Sequence, residues 1–368
     1  MTTTQAEAKD SAYIAPQWKL VWWRFRKHRL ALVGMVVIAL LYVIAIFPQF
    51  LAIHDPFYVD ANRTFIPPQG IHFDGIRPVA YEVLSKRNLD TFKLEAVVDE
   101  SKKHPIRLFA RGFEYRFLGL FETNIHLLGT GIAEEEVSAF YPLGTDRLGR
   151  DMLSRLMYGT RVSMSIGLIG VMISVVLGIL LGGISGYAGG WTDVLIQRVI
   201  EFLRAIPTIP LWMALAAAVP NSWTVMQVYF AIVVIISFMG WTTLAREIRG
   251  RFLAMREEDF VVAARVYGAS PLQVILKHML PSFTSHIIAT TTLAVPSIIM
   301  AETSLSFLGL GLRAPAVSWG VLLQDAQNFT SVALSPWLLV PGLCVIISVL
   351  AFNFMGDGLR DAADPYAN

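Results

Sequence analysis

The 368-residue sequence predicts an all-α polytopic membrane protein of about six transmembrane helices, with an extracytoplasmic mixed α/β insert between the first two. Three observations carry that expectation. Hydrophobic residues make up 55% of the chain and charged ones 16%, against about 45–50% and about 25% in soluble domains. The apolar residues gather into runs near or above the roughly 18 that cross a bilayer. Basic residues cluster between some of these runs and avoid others, which orients them.

The runs fall at 30–50, 162–187, 195–218, 224–245, 284–310 and 336–356. The first follows a basic cluster of Arg24, Arg26, Lys27, His28 and Arg29. It is longer than a signal-peptide core of about 7–15 residues and has no small-x-small cleavage site after it, so it reads as an uncleaved span. Gly178, Gly182, Pro207, Pro296 and Gly342 lie inside later runs, as membrane helices allow because neighbours re-satisfy the freed backbone. Glu201 and Arg204 fall in the first turns of the third run and draw that end toward the membrane surface.

Placing the N-terminus inside puts Arg246, Arg249, Arg251, Arg256, Arg265 and Lys277 on the same side as the first basic cluster. The opposite loops hold no basic residue at 219–223 and only Arg313 at 311–335. The expected organisation is a cytoplasmic segment 1–29, a first span 30–50, an outer segment 51–161, a membrane core 162–357 with a cytoplasmic loop 246–283, and a cytoplasmic tail 358–368. A net charge of +2 points to no polyanion, hence to no nucleic-acid partner. The one cysteine, Cys344, excludes an internal disulfide and reads as a small buried hydrophobe.

In the outer segment, Pro67-Pro68, Asp74-Gly75 and His104-Pro105 signal turns, and alternation at 92–97 and 107–110 suggests strands. It has the size of a small subdomain, structural or ligand-binding. Residues 142–161 then place Leu148, Met152, Leu153, Leu156 and Met157 on one helical face. Arg150, Asp151, Ser154 and Arg155 take the other. This predicts a helix lying in the outer interface, with Asp151 and Arg155 paired at i,i+4. No GxxxxGK[ST] phosphate loop occurs anywhere in the chain.

The cytoplasmic stretch 257–281 predicts helix, tight turn, helix. Glu257 and Glu258 favour the positive start of a helix over 259–267, and Gly268 suits its left-handed end. Ser270 with Gln273 forms a capping box, Pro271 fits the first helical position, and Pro281 stops the second helix. Ala263 and Ala264 give a small-residue patch that a partner could approach closely. From the residues alone this is either a docking surface or a solvated hairpin.

This loop resembles the EAA motif of ABC importer permeases, with Ala263, Ala264, Gly268, Leu280 and Pro281 in register. Val262 stands where that motif has Glu, and His278 where it has an aliphatic residue. Three further stretches resemble the dipeptide/oligopeptide/nickel permease family, closest to its C-type subunit. They are Leu143-Gly144-Thr145-Asp146 with Gly149-Arg150-Asp151 and Ser154-Arg155; Ala301 to Gly311 with Ser318-Trp319-Gly320; and Asn353 to Asp361 with Asp364-Pro365. The resemblance covers about 1–50 and 142–368 and leaves the 51–141 insert unexplained. It implies a fold of the type I ABC importer kind in a bacterial or archaeal cytoplasmic membrane. It also implies a coupling loop of Ala263, Ala264, Gly268, Ser270, Pro271, Leu280 and Pro281. The implied partners are a second homologous permease, two ABC ATPases that bind the ATP and Mg, an extracytoplasmic solute-binding protein and the lipid bilayer.

Glu302 lies inside a span, where a carboxylate is costly and marks either a structural anchor or a pathway or gate residue. Pro207 and Pro210 break a helix, shaping the pathway or simply packing it. Arg360 and Asp361 read as a solvated helix end or as partners of the coupling loop or of an ATPase. The seven histidines have no metal-ligand spacing on one helix, so no metal site is expected. No nucleophile–base–orienter set is present, so no catalytic residue is expected. Three function classes stand: a permease of an ATP-driven importer for oligopeptides or related solutes, a secondary transporter, and a membrane scaffold or sensor with a working outer domain. A secondary transporter should show inverted repeats and charged midplane residues, of which only Glu302 qualifies.

Overall fold

The computed structural model describes residues 17–89, 94–130 and 139–363. The expected strand residues Phe92 and Lys93, and Asp364-Pro365, lie outside the described residues. A short helix α1, Gln17–Phe25, precedes the first span α2, Arg29–Ile46. His28 caps α2, its Nδ1 accepting from the Ala31 amide at 3.2 Å. Eighteen helical residues rise about 27 Å, close to the roughly 30 Å hydrocarbon core. One stripe, with Ala31, Gly34, Ile38, Leu41 and Ala45, is buried, while Leu30, Val33, Val36, Leu40 and Val43 remain exposed. That split is what a span packed on one side and facing lipid on the other requires.

After a single turn, α3 at Pro48–Leu51, the chain enters the insert. Strands β1 (His72–Asp74), β2 (Arg77–Arg87) and β3 (Leu94–Pro105) form an antiparallel sheet. Strands β4 (Arg107–Phe117) and β5 (Phe121–Gly129) form a separate hairpin. Between α3 and the next membrane helix the described residues hold one 3-10 turn, Ala61–Arg63, and no α-helix. The insert is therefore β-built rather than mixed α/β. β-Branched and aromatic residues are frequent along its strands, as the pleated backbone favours.

The second span, α4, is a continuous 37-residue helix, Met152–Ala188. The expected interfacial helix over 142–161 is thus not a separate element. Residues 142–151 form a loop, and 152–161 are the first turns of the span itself. The reason is visible in its faces, since Ser154 and Arg155 are buried rather than turned to water. Gly178 and Gly182 do not interrupt α4; with Ser174 and Gly186 they line its contact with α7 (Val225–Met255), where small side chains let the backbones approach.

The third apolar run does break. Helix α5, Gly190–Ala205, and helix α6, Thr208–Ala217, meet at 84°. Pro207 lies at the bend with φ −58° and ψ 124°, and Pro210 sits in the first turn of α6. Ten residues rise only about 15 Å, too short to cross alone. Helix α7 runs past the apolar stretch into the expected cytoplasmic loop and ends at Met255. Helix α8, Asp259–Val266, and the long helix α9, Leu280–Phe307, follow. Helix α10, Trp319–Leu323, and the last span α11, Val340–Ala363, complete the chain. Among the described residues, five helices are long and apolar enough to span a membrane, or six with the bent pair counted as one. The main core gathers residues of α2, α4, α7, α9, α10 and α11 into one cluster around Ile166, Ile299 and Trp319.

Candidate functional sites at the two ends of the core

Helix α4 carries one site at each of its ends, about 55 Å apart by helical rise. At its N-terminus, loop 142–151 folds around Asp146, which is fully buried. The Asp146 carboxylate accepts from the Leu148 amide at 2.8 Å, the Arg150 amide at 3.0 Å and Arg150 Nε at 2.7 Å. It also accepts from the guanidinium of Arg155, itself 2% exposed. The expected Asp151–Arg155 pair does not form. Asp151 instead caps α4 by accepting from the Ser154 amide at 2.8 Å, leaving the loop carboxylate of Asp146 to hold Arg155.

The same joint ties the insert to the membrane core. Ser154 Oγ accepts from the amides of Ile53 and His54 at 3.0 and 2.9 Å. His54 stacks on Tyr141 with centroids 4.4 Å apart and brings Nδ1 within 3.4 Å of Asp151. Arg63 donates to the Tyr141 hydroxyl at 3.1 Å and reaches Glu82 of β2 at 3.4 Å. Burial pushes the Tyr141 phenol up to about 12. Trp337, from the loop before α11, donates to the Thr145 carbonyl at 2.9 Å. Arg147 pairs with Asp325 at 2.9 Å, whose carboxyl burial raises above its usual range. Gly149 has φ +74°, and a Cβ there would lie 1.9 Å from the Asp60 carbonyl oxygen, so only glycine closes this loop. Sequence spacing points to Asp151 because it reads only helical neighbours. The usable signal is Asp146 two and four residues before amides that a turn carboxylate can accept.

About a third of the way along α4, Ser163 meets Glu302. The Glu302 carboxylate is fully buried and accepts from Ser163 Oγ at 3.0 Å and Ser306 Oγ at 2.8 Å. Ser163 Oγ in turn accepts the Trp319 amide at 3.1 Å, and the Trp319 indole donates to Thr160 at 3.1 Å. Glu302 therefore fastens α9 and α10 to α4. A 220 Å3 pocket between α6–α7 and the 310–316 loop is lined by Trp223, Pro220, Leu310, Arg313 and Pro315. Pro207 and Pro210 stand apart from Glu302, at the bend between α5 and α6.

At the other end of α4, the turn after α7 is built as its capping residues dictate. Helix α8 packs Val261 and Ala264 against Ile248, Phe252, Val274 and Met279, all buried, while Ala263 stays exposed. Gly268 takes φ +82° and its amide closes onto the Arg265 carbonyl at 2.9 Å. Ser270 and Gln273 form the reciprocal capping box, with Pro271 in the first helical turn. Pro281 does not stop the second helix. A π segment, Val274–Met279, leads into α9, and Pro281 lies in the first turn of α9. The wider π register, seen in the Leu280 amide donating to the Ile275 carbonyl, shifts bonding just before the proline and absorbs its missing N–H. Leu280 is half-buried and Pro281 exposed on the following turn.

The outward surface of this turn is apolar and uncovered. Val266 is 81% exposed and Tyr267 90%, beside exposed Phe260, Val262, Leu272 and Leu276. The turn is fixed from behind. Arg265 lies over the Tyr187 ring at the end of α4, 5.0 Å from its centroid, and Asp193 of α5 holds Arg249 of α7 at 2.5 Å. The two alanines mark this turn in the sequence, but its apolar rim of Val266 and Tyr267 carries no such signature.

Comparison with known proteins identifies the family of the chain. A family model described as a binding-protein-dependent transport system inner membrane component matches residues 174–367. A second, the N-terminal membrane domain of oligopeptide transport permease C, matches 16–68. The oligopeptide transport system permease protein OppC of Haemophilus influenzae is 40% identical over 63% of this chain and 73% of its own length. The dipeptide transport system permease protein DppC of Bacillus subtilis is 37% identical over 62% and 69%. Among solved structures, the inward-facing methionine ABC transporter MetNI is 17% identical over 57% of this chain and 97% of its own, with a TM-score of 0.45. Neither family model covers residues 69–173.

Proposed function

The chain belongs to the family of inner membrane components of binding-protein-dependent transport systems, and we propose on that premise that it is a permease subunit of an ATP-driven peptide importer. The peptide assignment rests on relatives named as oligopeptide and dipeptide permeases. In this reading the turn at 259–281 is the coupling element and docks a partner ATPase that binds the ATP and Mg. A second permease completes the pathway, and an external binding protein delivers the solute.

The observation that carries the reading is the apolar face of Val266 and Tyr267, uncovered on a turn whose other side is locked to α4 and α7. A face like this has no place on a solvated hairpin, and a rigid base transmits displacement into the spans rather than absorbing it. The basic residues Arg246, Arg251, Arg256 and Lys277 flank it in sequence, which supports a cytoplasmic placement of this end and of both termini, with the β insert outside. Glu302, held by hydroxyls on two elements, then acts as an anchor of the pathway wall rather than as a gate.

The test is Gly268→Val in the assembled transporter reconstituted in vesicles. Left-handed geometry at this position penalises any Cβ and a β-branched one most. ATP-dependent peptide uptake should fall at least tenfold while membrane insertion and subunit yield persist. Uptake at the level of the unaltered protein would remove the coupling assignment.

A further inference from the structure

We propose that the tip of the β4–β5 hairpin dips into the outer leaflet of the bilayer beside the first span. The assignment rests on the outside placement of the insert argued above, and concerns residues 117–121 within it.

The tip reads Phe117-Leu118-Gly119-Leu120-Phe121, five residues without a polar side chain. Leu118, Leu120 and Phe121 are 50%, 79% and 58% exposed. Its turn is of the kind whose two central residues both need positive φ: Leu118 has φ +50° and Gly119 φ +76°. The Leu120 amide closes it onto the Phe117 carbonyl at 2.9 Å. A hairpin tip in water favours Asn or Asp at the first of those positions. A leucine there accepts steric strain in order to present a bare apolar side chain.

Depth is set by the first span. Ile46 ends α2, and Arg161 of α4 caps that end, donating to the Ala45 and Ile46 carbonyls at 2.8 Å and to Gln49 at 2.7 Å. An arginine binding the last carbonyls of an apolar helix marks the hydrocarbon boundary. Phe117 stacks on Phe47 at that boundary with centroids 5.7 Å apart, and Phe109 of β4 approaches Phe50 at 6.3 Å. His126 of β5 is buried and fixes the hairpin to α3, with Nδ1 2.9 Å from the Gln49 carbonyl oxygen. The tip thus sits at the membrane surface level and continues the exposed stripe of α2 that ends in Val43 and Ile46. One residue back from the tip, Arg116 and Glu122 pair across the strands at 3.0 Å with both side chains largely exposed. An apolar tip collared by charge is the profile of an element seated about 5–10 Å into the interface.

The test uses the full chain with Cys344→Ala, assembled with its partner subunits in phosphatidylcholine–phosphatidylglycerol vesicles. A nitroxide is attached at Leu120→Cys or, as a reference, at Ile76→Cys in the β1–β2 turn, where Ile76 is 96% exposed. At position 120, collision with oxygen should exceed collision with a water-soluble nickel chelate severalfold, and at position 76 the order should reverse. A nickel collision rate at 120 equal to that at 76 overturns the proposal, because the tip is then in water. Protection of 120 from both probes also overturns it, because a protein partner then covers the tip. Labelling of Ile76→Cys by a membrane-impermeant maleimide in spheroplasts reports the outside placement separately. A failed lipid contact with that placement intact discards only the hairpin assignment.

Discussion

The two ends of α4 are opposite in kind. At the N-terminal end, charged groups are buried and matched: Asp146 satisfies two amides and two guanidinium groups, and Tyr141, Arg63 and Ser154 join it to the insert. At the C-terminal end, charge is peripheral and large apolar side chains stand uncovered on a rigid turn. A buried polar network whose charges are paired within one chain specifies a single arrangement. An exposed apolar rim is half of an interface. The difference separates a joint that holds the molecule in shape from a surface that, in the proposed reading, docks a partner subunit.

Substitutions should split accordingly, with stability lost at the first end and assembly lost at the second. The largest effect is expected from Asp146→Ala, which leaves Arg155 buried without its carboxylate. Removing one member of such a pair costs roughly 3–5 kcal/mol, so thermal unfolding of the purified chain should shift strongly downward. An unchanged transition would mean that the network is ornamental.

Next comes a pH effect from Tyr141. Its phenol titrates near 10 when unfolded and is pushed up to about 12 when folded. Between those values the folded chain keeps a proton that the unfolded chain has lost, so stability falls as pH rises through the window, by roughly 2–3 kcal/mol in all. Tyr141→Phe should flatten that slope in unfolding curves taken from pH 9 to 12. Between the two ends, Glu302→Ala strands the hydroxyls of Ser163 and Ser306 in the core, and a loss of about 1–3 kcal/mol is expected by the same melting measurement. Smallest in stability is Tyr267→Ala. A side chain 90% exposed should change unfolding by no more than about 0.5 kcal/mol, while ATPase subunits recovered with the chain on purification should drop severalfold. A stability loss at Tyr267 comparable to that at Asp146 would erase the distinction between the ends.

Much of this molecule is legible in its sequence. Apolar runs announce the spans, Pro207 announces the 84° bend, and Ser270, Pro271 and Gln273 announce the capped turn. Each is a local signal, carried by residues within one or two helical turns of one another. Where spacing misleads, the opposite holds. Arg155 stands at the favourable distance from Asp151, but α4 needs Asp151 as its cap and the loop offers Asp146. Pro281 reads as a stop because a proline costs a helix its donor, and a π segment one turn earlier removes that cost. The polar face of 150–155 reads as wet because Ile53 and His54, which bond Ser154 in the fold, are one hundred or more residues away in sequence.

What the sequence determined alone is therefore the set of spans, their bends and the capped turn, because hydropathy and capping act over a few residues. Which polar groups are matched and which apolar ones are left bare was decided by tertiary structure. Burial and hydrogen-bond partners depend on segments such as Ile53 and Ser154, one hundred and one residues apart in the chain and 3.0 Å apart in the fold.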